Sequence, residues 1–384
     1  MSAAHDGPAD SDAFEHLGRL CAESGPDAML DALAESLASR RRWHALFDAR
    51  IMQARVAVGL PPVGSPGDVP AAVRDQLDER SLAACREAGW PLLREGQVAA
   101  AWMYLRATND QSEVSRQLAT LAAAIDASAA DEQTERQRQE ILGVALWEGA
   151  DPAVGISLML RTQGTCNAIT AYEQAVSRLA AARQRPAAVV LVAHLHGEVA
   201  TNHVDVSHLQ SVLRIARICD DEPTIRRAWE LACYACRLPA DMVYPGEPPF
   251  EDVGEASRHF FGSQLGIDIE AAVRFFRRAA ATADPGSGTL PSDTLVLLLA
   301  RLGRPAEALH AALDRPRDDG MPSPLQVAGA MPSLLDLAAM ANEWELLRRV
   351  CRDRGDDITF AATLIAERQK NEGQPHHSDR GPQV

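Results

Sequence analysis

Histidines form the densest group of chemically capable side chains in this chain, since four of the eleven lie between positions 194 and 208. On a helix, His194 and Glu198 are one turn apart and share a face, whereas His196 points away from that face. A turn in the chain after Glu198 would bring His203 or His208 back toward it. Three such ligands with one open position would form a metal site that activates water.

The same histidines have a plainer interpretation as polar side chains at a junction between two helices. Their spacing matches no metal-binding motif that we can name, and Asp205 is a typical N-cap for the following helix. We therefore hold the metal site as the alternative hypothesis, and the sequence predicts no cofactor. The ligands of that alternative site are His194, Glu198, His203 and His208.

The segment 238–251 interrupts the helical pattern and contains four prolines. A stretch of this length without secondary structure is unusual in a compact fold and is often functional. It could overhang a groove and hold a partner with aromatic and acidic groups, or it could cover apolar surface between helical units. The candidate partner-binding residues are Asp241, Tyr244, Glu247 and Phe250.

The seven cysteines are scattered along the chain, and their number is odd. Most fall inside apolar helical patterns, including the pair Cys233 and Cys236. This distribution favours reduced, buried thiols over a disulfide framework or a zinc site, which would need a second closely spaced pair.

The chain carries a net charge of −15. An acidic protein lacks the basic surface that nonspecific nucleic-acid binding needs, and it is not attracted to anionic lipid. No stretch approaches the roughly 20 apolar residues of a membrane span, and the acidic N-terminus does not resemble a secretion signal. We expect a cytoplasmic protein that binds neither nucleic acid nor membranes.

The apolar spacing predicts helices along most of the chain and almost no strands. At 299–309 one apolar helix ends at Gly303, and an Ala/Leu-rich helix begins directly after it. Helices are also predicted near 131–147 and 166–183, with none between. Because aromatic residues make up only 5% of the chain, the core must consist mostly of Ala, Leu and Val.

Composition divides the chain into five segments. The acidic segment 1–11 and the polar tail 371–384 are predicted to be disordered. Helices are expected over 12–58, followed by a Pro/Gly-rich linker at 59–68. A helical-repeat body over 69–370 contains the Pro-rich loop at 238–251.

Two segments resemble the second helix of tetratricopeptide repeats, in which a small residue, an aromatic four positions later and another small residue three positions beyond recur. The segments are Ala272-x3-Phe276-x2-Ala279 and Ala100-x3-Tyr104-x2-Ala107. Ala308 follows Ala272 by 36 residues, close to that family's period, although Ala312 stands where the pattern has an aromatic residue. The resemblance covers about a third of the chain and implies stacked antiparallel helical hairpins, an α-solenoid that holds a peptide or protein partner. A chain of helical hairpins could also close into an irregular bundle.

The sequence contains no phosphate-binding loop, nucleophile elbow or dinucleotide-binding motif. Together with the helical hairpins, this favours a non-enzymatic scaffold that binds a protein or peptide partner. The alternative is an all-α metalloprotein or metal-dependent enzyme that uses the histidine cluster. The sequence identifies neither the partner nor the oligomeric state.

Overall fold

The structure, a computed structural model, describes residues 11–64, 69–125, 131–201, 204–239, 245–283, 288–315 and 323–373. Every regular element in these ranges is helical and none is a strand, which confirms the all-α fold class. The chain divides into two compact units, Met1–Thr162 and Gln163–Val384. The segments 1–10 and 374–384 and the linker residues 65–68 lie outside the described residues.

Helices of the N-terminal unit follow one another with short connections. They are α1 (Ser11–Ser39), α2 (Trp43–Ala57), α3 (Ala71–Arg94), α4 (Val98–Leu105), α5 (Gln111–Ala124), α6 (Glu132–Leu142) and α7 (Pro152–Gln163). Gly25 breaks α1 with a φ of 87°, which glycine adopts readily. A π-helical turn, Gly143–Trp147, extends α6.

Small side chains bring neighbouring helices of this unit close together. Ala34 and Leu37 of α1 form one core cluster with Leu46 and Ala49 of α2. Between α3 and α4, a β-carbon added at Gly89 would lie 2.7 Å from Cγ of Leu105. Such contacts let Ala- and Leu-rich helices pack closely without many aromatic residues.

Helices of the C-terminal unit are α8 (Thr165–Ala171), α9 (Ala181–Ala200), α10 (Val206–Ala216), α11 (Glu222–Ala235), α12 (Val253–Gln264), α13 (Ile269–Thr282), α14 (Leu290–Arg301), α15 (Pro305–Leu313), α16 (Pro324–Val327), α17 (Leu334–Ala341), α18 (Trp344–Arg354) and α19 (Asp357–Gly373). A π-helical turn, Tyr172–Val176, extends α8. Consecutive helices pack against each other, as α11 does on α12 and α14 on α15. This pairwise packing is compatible with a helical repeat.

The residues that carry the tetratricopeptide resemblance lie mostly in the core. Ala272 and Phe276 are fully buried in α13. Gly303 makes the turn between α14 and α15 with a φ of 70°, as the sequence predicts. In the N-terminal unit, Tyr104 is also buried, in α4.

The expectation that most thiols are buried is wrong. All seven cysteines are free, but only Cys219 and Cys351 are buried. Cys21, Cys166 and Cys236 are exposed. Every helix among the described residues is too short or too polar to cross a membrane.

Candidate functional site

A candidate site in the C-terminal unit lies where α10, the π-helical turn at 172–176 and the turn at 245–252 meet around two cavities. The inner cavity has a volume of about 180 Å³ and the outer cavity about 290 Å³. Arg214, Arg217 and Glu247 line both cavities. π-Helical turns occur often at functional sites, and Tyr172 and Glu173 of this turn line the inner cavity.

Helix α10 positions the two arginines. Asp205 caps its N-terminus by accepting a hydrogen bond from the Ser207 backbone N–H at 2.8 Å. One apolar face, which includes the buried Leu209 and Leu213, packs into the core. Arg214 lies in the last turn and Arg217 caps the C-terminus, where the helix dipole favours positive charge.

The turn at 245–252 is held by one aromatic anchor. Phe250 is fully buried and packs against Phe260 and Phe276 at centroid distances of 6.1 Å and 5.8 Å. The backbone N–H of Gly246 donates to Glu251 O at 3.1 Å. A β-carbon at Gly246 would lie 2.2 Å from the carbonyl oxygen of Phe250, so only glycine fits this turn without a shift.

The guanidinium of Arg217 stacks on the anchored ring, with its Cζ 3.3 Å from the Phe250 centroid. The residue is only 7% exposed. Its Nε–H has no hydrogen-bond partner among the described residues, and none of their carboxylates forms an ion pair with it. Burial, reinforced by the charge of Arg214 and opposed by that of Glu247, lowers the pKa of Arg217 to about 9. The side chain therefore stays charged at neutral pH.

Several other polar groups around the inner cavity already have partners. Arg214 forms an ion pair with Glu173. The Tyr172 hydroxyl donates to Oε1 of Gln184 at 3.3 Å, and the Gln184 amide donates to the Ser177 carbonyl oxygen at 2.9 Å. Burial raises the pKa of Tyr172, so the phenol remains a donor. The unsatisfied hydrogen-bonding capacity at this site thus belongs to Arg217.

A buried cation without a counter-ion is costly, and a group that supplies hydrogen-bond acceptors removes much of that cost. Cation–π attraction to the Phe250 ring offsets part of it, but the ring provides no acceptor in the guanidinium plane. The arrangement is suited to binding an anionic group that enters one of the two cavities.

The predicted partner-binding residues fall in different environments. Asp241 and Tyr244 lie outside the described residues. Glu247 is exposed and lines both cavities. Phe250 is fully buried and anchors the turn in the core. Contact between these residues and a partner stays a prediction. Of the two described residues, only Glu247 is exposed and could contact a partner directly.

The histidine cluster is partly assembled. Oε1 of Glu198 lies 3.2 Å from Nε2 of His194, and Oγ1 of Thr165 lies 2.8 Å from the same nitrogen. His196 faces away and pairs with Glu230 at 2.5 Å, as the helical spacing predicts.

The remaining predicted metal ligands are not brought together in the part of the chain that the structure describes. His203 lies outside the described residues, and His208 is on α10. Among the described residues, no three His, Cys, Asp or Glu side chains are grouped so that they could hold a metal ion. The metal site therefore stays a prediction that depends on His203.

Sequence reasoning missed Arg214 and Arg217. A signal was present, because Arg217 is a charge inside the apolar run from Ile215 to Cys219. A charged residue in such a run is either paired in the core or available to a ligand. The sequence does not show which, since pairing depends on segments distant along the chain.

The chain matches none of the protein families, curated proteins or solved structures with which it was compared. The function must therefore be argued from the geometry of the site.

Proposed function

We propose that the protein is a tetratricopeptide-like helical scaffold that binds a segment of a protein partner at the outer cavity of its C-terminal unit. The observation that carries this proposal is the buried Arg217, whose Nε–H has no hydrogen-bond partner among the described residues, at the wall that the two cavities share. A group left unsatisfied in this way gains hydrogen bonds when a ligand or water enters the cavities.

The rigidity of the outer cavity supports a binding role. One wall is the helix α10, and the other is the turn at 245–252, which Phe250 anchors in the core. A preformed cleft loses little conformational entropy when a partner binds. Polar residues exposed on a rigid helical frame are typical of recognition surfaces.

No arrangement of the described residues favours catalysis over binding. His194, Glu198 and Thr165 form a small polar cluster, but both oxygens contact the same ring nitrogen of His194. In a relay of the serine-hydrolase type the acid orients the other nitrogen of the ring. We therefore place function at the cavities around Arg217.

A variant that fills the outer cavity tests the proposal. Ser211 is partly buried on α10 and lines this cavity, so Ser211→Trp should obstruct it. Thr282→Trp adds the same bulk at an exposed position of α13 that lines neither cavity, and serves as the control. Both proteins and the wild type are used as bait in quantitative affinity capture, after circular dichroism has shown equal helix content.

The proposal predicts at least one protein captured by the wild type and by Thr282→Trp but depleted about tenfold or more with Ser211→Trp. Binding of that protein must then be reproduced with purified components. If every specifically captured protein binds Ser211→Trp as well as it binds the wild type, the outer cavity is not the binding site.

A further inference from the structure

We propose that Arg217 is a carboxylate receptor, and that the group it accepts is a carboxylate on a short aliphatic stem lodged in the inner cavity. The inference rests on the proposed function only in assigning that carboxylate to a partner segment. The charges, hydrogen bonds and lining of the cavity support the carboxylate site itself.

The charges around the cavities favour an anion with a single negative charge. Arg214 is already neutralised by Glu173, which leaves Arg217 as the unpaired cation of the site. Glu247 lies near enough to influence Arg217 electrostatically but does not pair with it. Glu247 repels a phosphate dianion more strongly than a carboxylate, whose single charge is matched by that of Arg217.

The geometry of the guanidinium also fits a carboxylate. One face is occupied by Phe250, and the hydrogen bonds to a ligand come from the edge, which carries the N–H groups. A planar carboxylate accepts two parallel hydrogen bonds from such an edge. A pairing through Nε and one terminal nitrogen would also satisfy the Nε–H, which is buried and has no partner among the described residues.

The inner cavity supplies space for an aliphatic stem. Much of its wall is apolar, and its volume of about 180 Å³ exceeds the space that one water molecule needs. A ligand with a polar chain would find few acceptors or donors there, because Tyr172 and Gln184 bond to each other. The apolar wall consists of Ile215, Ile218, Leu290, Pro324, Leu325 and Ala328.

A purely structural role for Arg217 has a different consequence. The C-terminal dipole of α10 and the Phe250 ring both stabilise its charge. Water in the cavities could then satisfy the guanidinium, and no particular anion would be preferred. The two cases differ in whether the site distinguishes a carboxylate from a neutral molecule of the same shape.

Titration of the full-length protein, labelled with ¹⁵N-arginine, separates these cases. The readout is the Nε–H signal of Arg217, assigned by its loss in Arg217→Lys. The probes are butyrate, its neutral isostere butyramide, and inorganic phosphate. We expect a saturable shift with butyrate and binding about tenfold or more weaker with butyramide, as the loss of a charged hydrogen-bonded pair implies.

Three variants extend the test. Arg217→Met keeps an unbranched apolar chain over Phe250 and should abolish butyrate binding measured by calorimetry. Arg226→Met removes an exposed arginine that pairs with Glu222 on α11 and should leave binding unchanged. Glu247→Gln removes a competing carboxylate and should strengthen butyrate binding several-fold.

Equal shifts with butyrate and butyramide, tighter binding of phosphate, or no saturable shift of the Arg217 signal would each overturn the inference. The titration is carried out on the wild type and uses Arg217→Lys only to assign the signal, so a folding defect in Arg217→Met leaves this test intact. The proposed scaffold function fails separately. Butyrate could bind through Arg217 while Ser211→Trp loses no partner, and a partner could depend on the outer cavity while butyrate does not bind.

Discussion

At the scale of single residues, the site depends on one close backbone approach and one aromatic ring. Gly246 allows the turn at 245–252 to close over Phe250, and the Phe250 ring in turn carries the Arg217 guanidinium. A substitution that displaces the turn should therefore also displace the Arg217 guanidinium. This link makes Gly246 part of the site in addition to its place in the wall of the outer cavity.

Gly246→Ala should lower the free energy of unfolding by about 1–3 kcal/mol, because the new methyl group would meet the Phe250 carbonyl oxygen. Gly197→Ala is the matched control in the same unit. Gly197 lies in α9 with open space around it, so alanine there should stabilise the helix by about 0.5–1 kcal/mol. Urea denaturation of both variants measures the two changes in the free energy of unfolding. If alanine stabilised the protein at both positions, or destabilised it at both, the close approach at Gly246 would not be what requires glycine there.

At the scale of elements, α10 presents both arginines, and its start is fixed by one carboxylate. Hydrogen bonds from the Ser207 hydroxyl and backbone N–H, together with the charge of His208, hold the pKa of Asp205 below its usual range. Folding therefore favours the ionised form of Asp205. Its contribution to stability is present above the unfolded-state pKa and is lost as pH falls through the folded-state pKa.

Asp205→Ala should cost about 0.5–1 kcal/mol at neutral pH, since the cap is exposed to solvent. The difference from the wild type should shrink below about pH 4, where the cap becomes protonated in both states. Asp205→Asn retains a capping acceptor without the charge, and should cost less and show no such pH dependence. Denaturation from about pH 6 to about pH 3 gives all three curves. If the stability lost in Asp205→Ala grows as pH falls, the ionised carboxylate of Asp205 does not stabilise the fold.

Local signals in the sequence predict many of these elements. Asp221 caps α11 as the run of acids before Pro223 indicates, and Gly303 separates α14 from α15. Helix α7 was not predicted, because its residues are buried on several sides and show no clear polar face. The π-helical turn at 172–176 has no local signature either, since its geometry depends on packing against α9 and α10.

The candidate site was predictable only in part. The Pro-rich segment was singled out, and Glu247 does line the cavities. The decisive feature is that the Arg217 Nε–H lacks a partner among the described residues, which no sequence pattern reveals. It depends on Arg214 pairing with Glu173, a residue 41 positions away.

At the scale of the whole molecule, the two compact units divide the chain between Thr162 and Gln163. Both cavities and all residues of the proposed site belong to the C-terminal unit. Since compact units with their own cores often fold alone, the site should not require the first 162 residues.

A chain of residues 163–384 should therefore unfold cooperatively and bind butyrate within about twofold of the full-length affinity. Circular dichroism during urea denaturation and calorimetry provide the two measurements. A fragment that is unfolded, or folded without butyrate binding, would show that the N-terminal unit contributes to the site.

The central claim is that a carboxylate-bearing partner segment binds at the cavities around Arg217. A compact photoreactive diazirine side chain at Ser211, too small to obstruct the outer cavity, tests this binding when the cross-linked peptides are identified by mass spectrometry. We expect a partner adduct whose cross-linked peptide has Asp, Glu or a carboxyl terminus beside the linked residue, and whose yield falls when Arg217→Met is added. The same group at Thr282 should not give that adduct. Adducts that form equally from both positions, or whose yield does not change with Arg217→Met, would show that the partner does not bind through Arg217.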